Sequence, residues 1–398
     1  DFLYYRMAGQ DAAICHCQIV VSISAGSPVG NLLFHYILHF SFWRSGTTVY
    51  LFSILTMKKF FKRLFIFSIA GLTVLTIMLS TYIHYDPFRV IRRYRDYSYP
   101  FVITNRDYIS MEMFLKNYNK YHYNSFIFGS SRTMAFVPDT WRSYLPPGAV
   151  PFMFDASAES IYGIDVKLKY FNSNHIKIRN ALFVFDRDVT FKTTENSSEH
   201  LYINHPLLTG QSKFAYQTTF FKAYLSMEFL SRFFEYTLTG KYKPGMKGFL
   251  ENRKIKYDHI TNQQKILDQE DEITTTPESY YKRRKDLFYF RAGERTDSVR
   301  RIQQAHLKLL QEIKEMLEKN HINYKIVLSP LYEQVKFNQH DLEMLYKLFP
   351  GHVYDFSGKN GFTDKITNYY ETAHFRPVVG DSILKIIYSR PVIPGSRK

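Results

Sequence analysis

A chain of 398 residues, 45% hydrophobic and 22% charged, is long enough for one large domain or two ordinary ones, and apolar enough to bury a core. Extended disorder is thereby excluded. The formal charge of +16 is spread along the chain, and its densest run, Lys282-Arg283-Arg284-Lys285, adjoins Asp286 in a charged, solvated segment; this speaks against nucleic acid and fits a surface facing anionic lipid or polymer.

Residues 1–56 show neither periodicity nor a domain signature. The two cysteines of the chain lie in Cys15-His16-Cys17, too tightly spaced for the usual metal pairs. The expected reading of 1–56 is a non-native or disordered upstream extension, with translation beginning at Met57. Its rival is a second membrane segment through 32–43 and 50–55, interrupted by Arg44-Ser45-Gly46.

Residues 64–83 form an apolar run without a charged side chain. About 20 helical residues span a bilayer core of about 30 Å. Lys58, Lys59, Lys62 and Arg63 stand just before the run, and a basic flank stays cytoplasmic. With no small-residue cleavage site in view, 57–85 is expected to be an uncleaved signal anchor, and everything after Tyr85 to be exported.

A polar, aromatic linker is expected over 86–119 and a single domain over 120–398. Short apolar runs predict strands at 124–128, 151–154, 181–185, 324–328 and 352–354, the first stopped by Gly129 and the third by Asp186. Ser130 to Met134 lead from the first strand towards a helix. Apolar residues at Ile302, Leu307, Leu310, Ile313 and Leu317 predict a helix over 297–320, and a last helix is expected over 377–388. Between them, 189–296 reads as a long insertion with an aromatic helical stretch (216–236), a Gly/Lys turn (240–248) and an acidic patch (268–272). Strands alternating with helices predict an α/β fold, a parallel sheet with helices on both faces.

Sites in such sheets form at the carboxyl ends of the strands. The first strand delivers Gly129-Ser130-Ser131-Arg132 to that edge. A glycine there lets the backbone turn tightly, and a serine after it presents an exposed hydroxyl; serine is equally a routine helix cap. Near the C-terminus, Glu371-Thr372-Ala373-His374 places a carboxylate three residues before an imidazole, close enough to orient it while the other ring nitrogen faces a nucleophile. If the serine and histidine are a coincidence, they should lie more than about 10 Å apart, beyond any hydrogen-bonded relay.

Together these two segments resemble the SGNH (GDSL-type) esterase and acyltransferase superfamily, over roughly residues 124–390. The resemblance implies a flavodoxin-like three-layer α/β/α sandwich with Ser131 as nucleophile and His374 as base. Glu371 stands where the family usually has Asp, and Ser130 where many members have Asp. The family's oxyanion hole draws on a backbone Gly after the second strand and an Asn after the third. Here Asp155-Ala156-Ser157-Ala158 and Asp186-Arg187-Asp188 occupy those places. The backbone N–H of Ser157 or Ala158 is the remaining donor, and Arg187 either adds positive charge or sits in a structural ion pair.

The anchor, the exported domain and the Gly-Ser-Ser-Arg turn are similar to one branch of that superfamily, the alginate O-acetylation and lipoteichoic-acid D-alanylation proteins. This implies a bacterial, single-pass protein of the cytoplasmic (inner) membrane. It would act without a cofactor on a cell-envelope polysaccharide or exopolysaccharide, beside a multi-spanning membrane O-acyltransferase. The missing Asn keeps a second reading open, a weakly active or inactive binding and assembly protein on the same fold.

Overall fold

The computed structural model describes residues 14–25, 32–43, 48–196 and 198–389. The chain divides after Ser80 into two compact units. In the first, Ile14–Ala25 pairs antiparallel with Leu32–Trp43. The remainder of the expected upstream extension, apart from residues 48–56, lies outside the described residues. The expected boundary at Met57 falls inside a single helix, Thr48–Tyr85. Its portion Met57–Tyr85 is long and apolar enough to cross a membrane, and no residue of its most apolar window is buried.

The second unit is built on five parallel strands: β1 (Ser125–Gly129), β2 (Pro151–Met153), β3 (Asn180–Phe185), β4 (Asn323–Leu328) and β5 (Val353–Asp355). All five fall within one or two residues of their expected places. They lie in the order β5-β4-β3-β1-β2. The chain therefore steps one way from β1 to β2, then returns to the far side of β1 for β3. Such a reversal opens a crevice at the carboxyl ends of β1 and β3.

The main helices are α1 (Arg106–Tyr121), α2 (Ile161–Ser173), α3 (Lys213–Tyr224), α4 (Met227–Thr239), α5 (Gln304–Lys319) and α6 (Pro377–Ser389). Strand side chains alternate between faces. Phe126, Phe128, Phe183 and Phe185 meet Phe171 of α2 and Leu310 and Ile313 of α5 on one face. Ile127, Leu182, Val184 and Val327 meet Ile383, Leu384 and Ile387 of α6 on the other. Phe114 of α1 joins the first layer, its ring 5.3 Å from Phe171 and 5.4 Å from Phe154. Many of the chain's aromatic side chains, 17% of its residues, are thus core packing.

Residues 86–119 are not a linker. Phe88, Val90, Tyr97 and Val102 are buried. The Asp86 carboxylate accepts from the N–H groups of Val90, Ile91 and Arg92 at 2.9, 3.2 and 3.0 Å. α1 starts with Asn105 as its cap, accepting from Tyr108 N–H at 2.8 Å. Polarity disguised this helix, because Arg106 and Asp107 are buried by pairing. Arg106 reaches Asp155 at 2.7 Å, and Asp107 reaches Lys167 of α2 at 2.7 Å. α5 also starts later than periodicity predicts, since Asp297 is occupied with the N–H of Val299 and with Arg187 and Arg301.

Lys167 is fully buried between two carboxylates, Asp107 and Glu159. One cation shared by two anions leaves an excess negative charge inside the protein. Burial, opposed by Lys167 and reinforced by Asp107, pushes Glu159 up from 4.5 to about 7. A carboxyl whose folded pKa is raised contributes stability that is complete below its unfolded value and lost as pH rises through the folded one. The thermal midpoint of the wild type, relative to Glu159→Gln, is therefore expected to fall between pH 5 and 8. A constant difference across that range would refute the assignment. Lys167→Met, which strands both carboxylates, is expected to cost about 3–5 kcal/mol.

Candidate active site

The turn after β1 is shaped by what lies behind it. Gly129 has φ +147°, and a Cβ there would sit 2.6 Å from the Val184 carbonyl oxygen on β3. The following residues wind into a short 3-10 helix, Ser131–Ala135, in place of the longer helix expected. α6 is pressed against its end, where a Cβ on Gly380 would lie 1.9 Å from the Ala135 carbonyl oxygen. Ser130 caps the turn, accepting from Arg132 N–H at 3.3 Å and donating its own hydroxyl to the buried Asp186 carboxylate. That leaves Ser131 as the serine facing outward.

Ser131 Oγ lies 2.8 Å from His374 Nε2. His374 Nδ1 contacts Glu371 Oε1, and Glu371 Oε2 accepts from Ala373 N–H at 2.7 Å. These residues sit on a small antiparallel hairpin, Tyr369–Glu371 with His374–Phe375, in which Glu371 and His374 are cross-strand partners. Burial alone would raise the Glu371 pKa. The His374 bond and charge, the Ala373 N–H and Arg253 prevail, holding it below the usual carboxylate range. An anion is thus fixed on one side of the imidazole and a hydroxyl on the other. The two side chains lie well inside the separation of about 10 Å set for a coincidental pair.

Arg132 is the residue that sequence reasoning missed. Its guanidinium binds Asp188 with both terminal nitrogens, at 2.8 and 3.0 Å, and Asp186 at 3.2 Å. Its Nε donates to the Ala373 carbonyl at 2.9 Å. The serine turn, the end of β3 and the histidine hairpin are thereby tied to one buried cation. Burial would lower its pKa, but Asp186 and Asp188 outweigh that and keep it charged. The signal was present as an Arg beside the serine and two Asp after β3, without anything to say that they meet.

Of the two roles open to Arg187, the structure has the ion pair and not the oxyanion-site charge: it turns away to Asp297 at 2.6 Å and Glu333 at 2.5 Å and is absent from the cavity wall. Ser157 and Ala158 do line the cavity, with Ser131 and His374. Ala158 has φ +49°, a left-handed conformation rare outside glycine, and the neighbouring Glu159 is held in the buried Lys167 cluster.

The cavity measures about 280 Å³. The insertion supplies one wall through Tyr202, Glu251, Arg253, Tyr257 and Gln264. Arg253 and Glu251 form a two-bonded pair at 2.8 and 2.6 Å. The insertion also grips the histidine hairpin. Tyr280 and Tyr281 hydroxyls donate to the carbonyls of Tyr370 and Tyr369 at 2.8 and 2.9 Å, and Glu270 of the acidic patch binds Arg376 at 2.5 Å.

No protein-family model matches the chain, and no curated protein matches it by sequence.

Arg132 can be tested as a positioning residue. Arg132→Gln leaves Asp186 and Asp188 unpaired and is expected to cost about 3–5 kcal/mol of stability. Arg132→Lys restores charge but cannot reach Asp188 and Ala373 together. It should recover most of the thermal midpoint while the rate of Ser131 labelling by a fluorophosphonate stays at least tenfold below wild type. Full recovery of both would reduce Arg132 to an ordinary ion pair.

Proposed function

We propose that this chain is an SGNH-like serine acyltransferase or esterase, held by a single membrane span with its larger unit on the extracytoplasmic side of a bacterial cytoplasmic membrane. The observation that carries the reading is the relay itself: Ser131 Oγ at 2.8 Å from His374 Nε2, with Glu371 on Nδ1, opening on a cavity. The strand order β5-β4-β3-β1-β2 and helices on both faces agree with the flavodoxin-like sandwich of that superfamily.

On this reading Ser131 Oγ attacks the acyl carbonyl while His374 Nε2 takes its proton. Glu371 stabilises the imidazolium and fixes the ring. His374 then protonates the departing alcohol oxygen as the acyl–oxygen bond breaks, leaving an acyl-Ser131. An acceptor hydroxyl, or water, attacks that ester and gives its proton to His374, so serine and imidazole are regenerated. The backbone at Ser157 and Ala158 is the part of the wall suited to the oxyanion. The acceptor is a hydroxyl of an envelope polysaccharide or exopolysaccharide, and a membrane O-acyltransferase is the partner that would supply acyl groups.

A second reading has its own observation. Asp186 stands where the superfamily carries a donor Asn, and it is occupied by Ser130 and Arg132. Loss of one oxyanion donor costs about 10²–10³ in rate, which leaves room for a weakly active protein that binds and assembles polymer.

The full chain in lipid nanodiscs is expected to react with a fluorophosphonate probe. Ser131→Ala should abolish labelling and His374→Ala should slow it at least a hundredfold. A folded wild type that takes no label would favour the binding reading.

A further inference from the structure

A second cavity of about 260 Å³ adjoins the Ser131 cavity, and its character is different. Ile103, Leu201, Ala223, Phe229 and Phe249 wall it, with His200 as the titratable group. Burial pushes His200 down to about 4, so the imidazole is neutral at physiological pH. The Ser131 cavity, in contrast, holds Arg106, Arg132, Glu251 and Arg253.

The two spaces are neighbours. Ile103 lines both, and of the successive residues Leu201 and Tyr202 the former lines the second cavity and the latter the first. Phe249 and Glu251 divide in the same way. α3 and α4, which contribute Ala223 and Phe229, also pack on Tyr82 and Tyr85 at the start of the larger unit: Tyr82 lies 5.2 Å from Tyr224, and Tyr85 lies 5.5 Å from Phe233.

We infer that the second cavity receives the aliphatic tail of the acyl group whose carbonyl is presented to Ser131, so that the substrate is a medium-chain acyl ester rather than an acetyl ester alone. This rests on the Ser131 reading. An uncharged pocket that shares Ile103 with a charged one matches the two ends of such a molecule, with the ester and its polar alcohol in the first cavity and hydrocarbon in the second. Each methylene moved from water into the pocket is worth about 0.8 kcal/mol, or about fourfold in kcat/KM.

The test uses the full chain in nanodiscs with p-nitrophenyl acetate, butyrate and octanoate. The octanoate-to-acetate ratio of kcat/KM is expected to exceed a hundred in the wild type. Filling the pocket with Ala223→Trp should reduce that ratio at least tenfold, and Leu201→Phe, a milder filling, should move the optimum towards butyrate. A ratio near one, or a high ratio unchanged in both variants at wild-type thermal midpoints, overturns the acyl-pocket proposal while acetate turnover leaves the serine reading intact. No turnover of any ester together with no fluorophosphonate labelling sinks the serine reading, and this proposal with it.

Discussion

Asp186 sits at the carboxyl end of β3, fully buried, where it faces the serine turn. An isolated carboxylate there would be untenable. Its stability comes from the Ser130 hydroxyl and from Arg132, which is held by Asp188 at the same time. The Arg132 Nε donates to the Ala373 carbonyl, between Glu371 and His374. A single guanidinium thus converts the sheet's geometry into a fixed distance between Ser131 and His374. β1 brings the serine, a hairpin some 240 residues later brings the histidine, and neither segment pairs with the other in the sheet.

That dependence explains why the insertion cannot be a passive ornament. The histidine hairpin has only two short strands and leaves backbone carbonyls to be satisfied. Tyr280 and Tyr281 supply hydroxyl donors to two of them, and Glu270 secures Arg376 just before α6. The Glu270 carboxyl would be raised by burial, yet Arg376 and Tyr370 hold it below its ordinary range, so it remains an anion for this purpose. Residues from the same insertion line the cavity that Ser131 and His374 open on. Support of the hairpin and much of the cavity wall thus come from one excursion from the sheet.

β1 to β4 were legible because each is a short, mostly apolar run, as a strand covered on both faces must be, whereas β5 is a half-buried edge strand. Ser131, Glu371 and His374 carried only weak local signals, turn chemistry and close spacing, and were singled out by the resemblance that joined them. What stayed hidden was polar residues buried by pairing. Arg106-Asp107 reads as solvated linker until Asp155 and Lys167 are seen beside it. Arg187 and Arg132 are equally plausible cations from sequence. Only the fold shows that one is spent on Asp297 and Glu333 and the other joins the site. Ion-pair partners separated by tens or hundreds of residues leave no periodicity to read.

On the proposed reading Asp186 takes the place of a donor amide. A carboxylate bonded to Ser130 and Arg132 cannot donate to an oxyanion, so that work falls on backbone N–H groups, among them that of Ala158, whose φ is +49°. Weaker oxyanion stabilisation slows acylation and deacylation alike, since both pass through a tetrahedral intermediate. It cannot by itself choose between water and an acceptor hydroxyl. That choice belongs to whichever nucleophile is held near the acyl-serine, where orientation is worth far more than concentration. The Tyr202, Glu251, Arg253, Tyr257 and Gln264 side chains in the same cavity as Ser131 offer hydroxyls, an amide and a paired charge, the groups that on the proposed reading would hold a sugar in place of water.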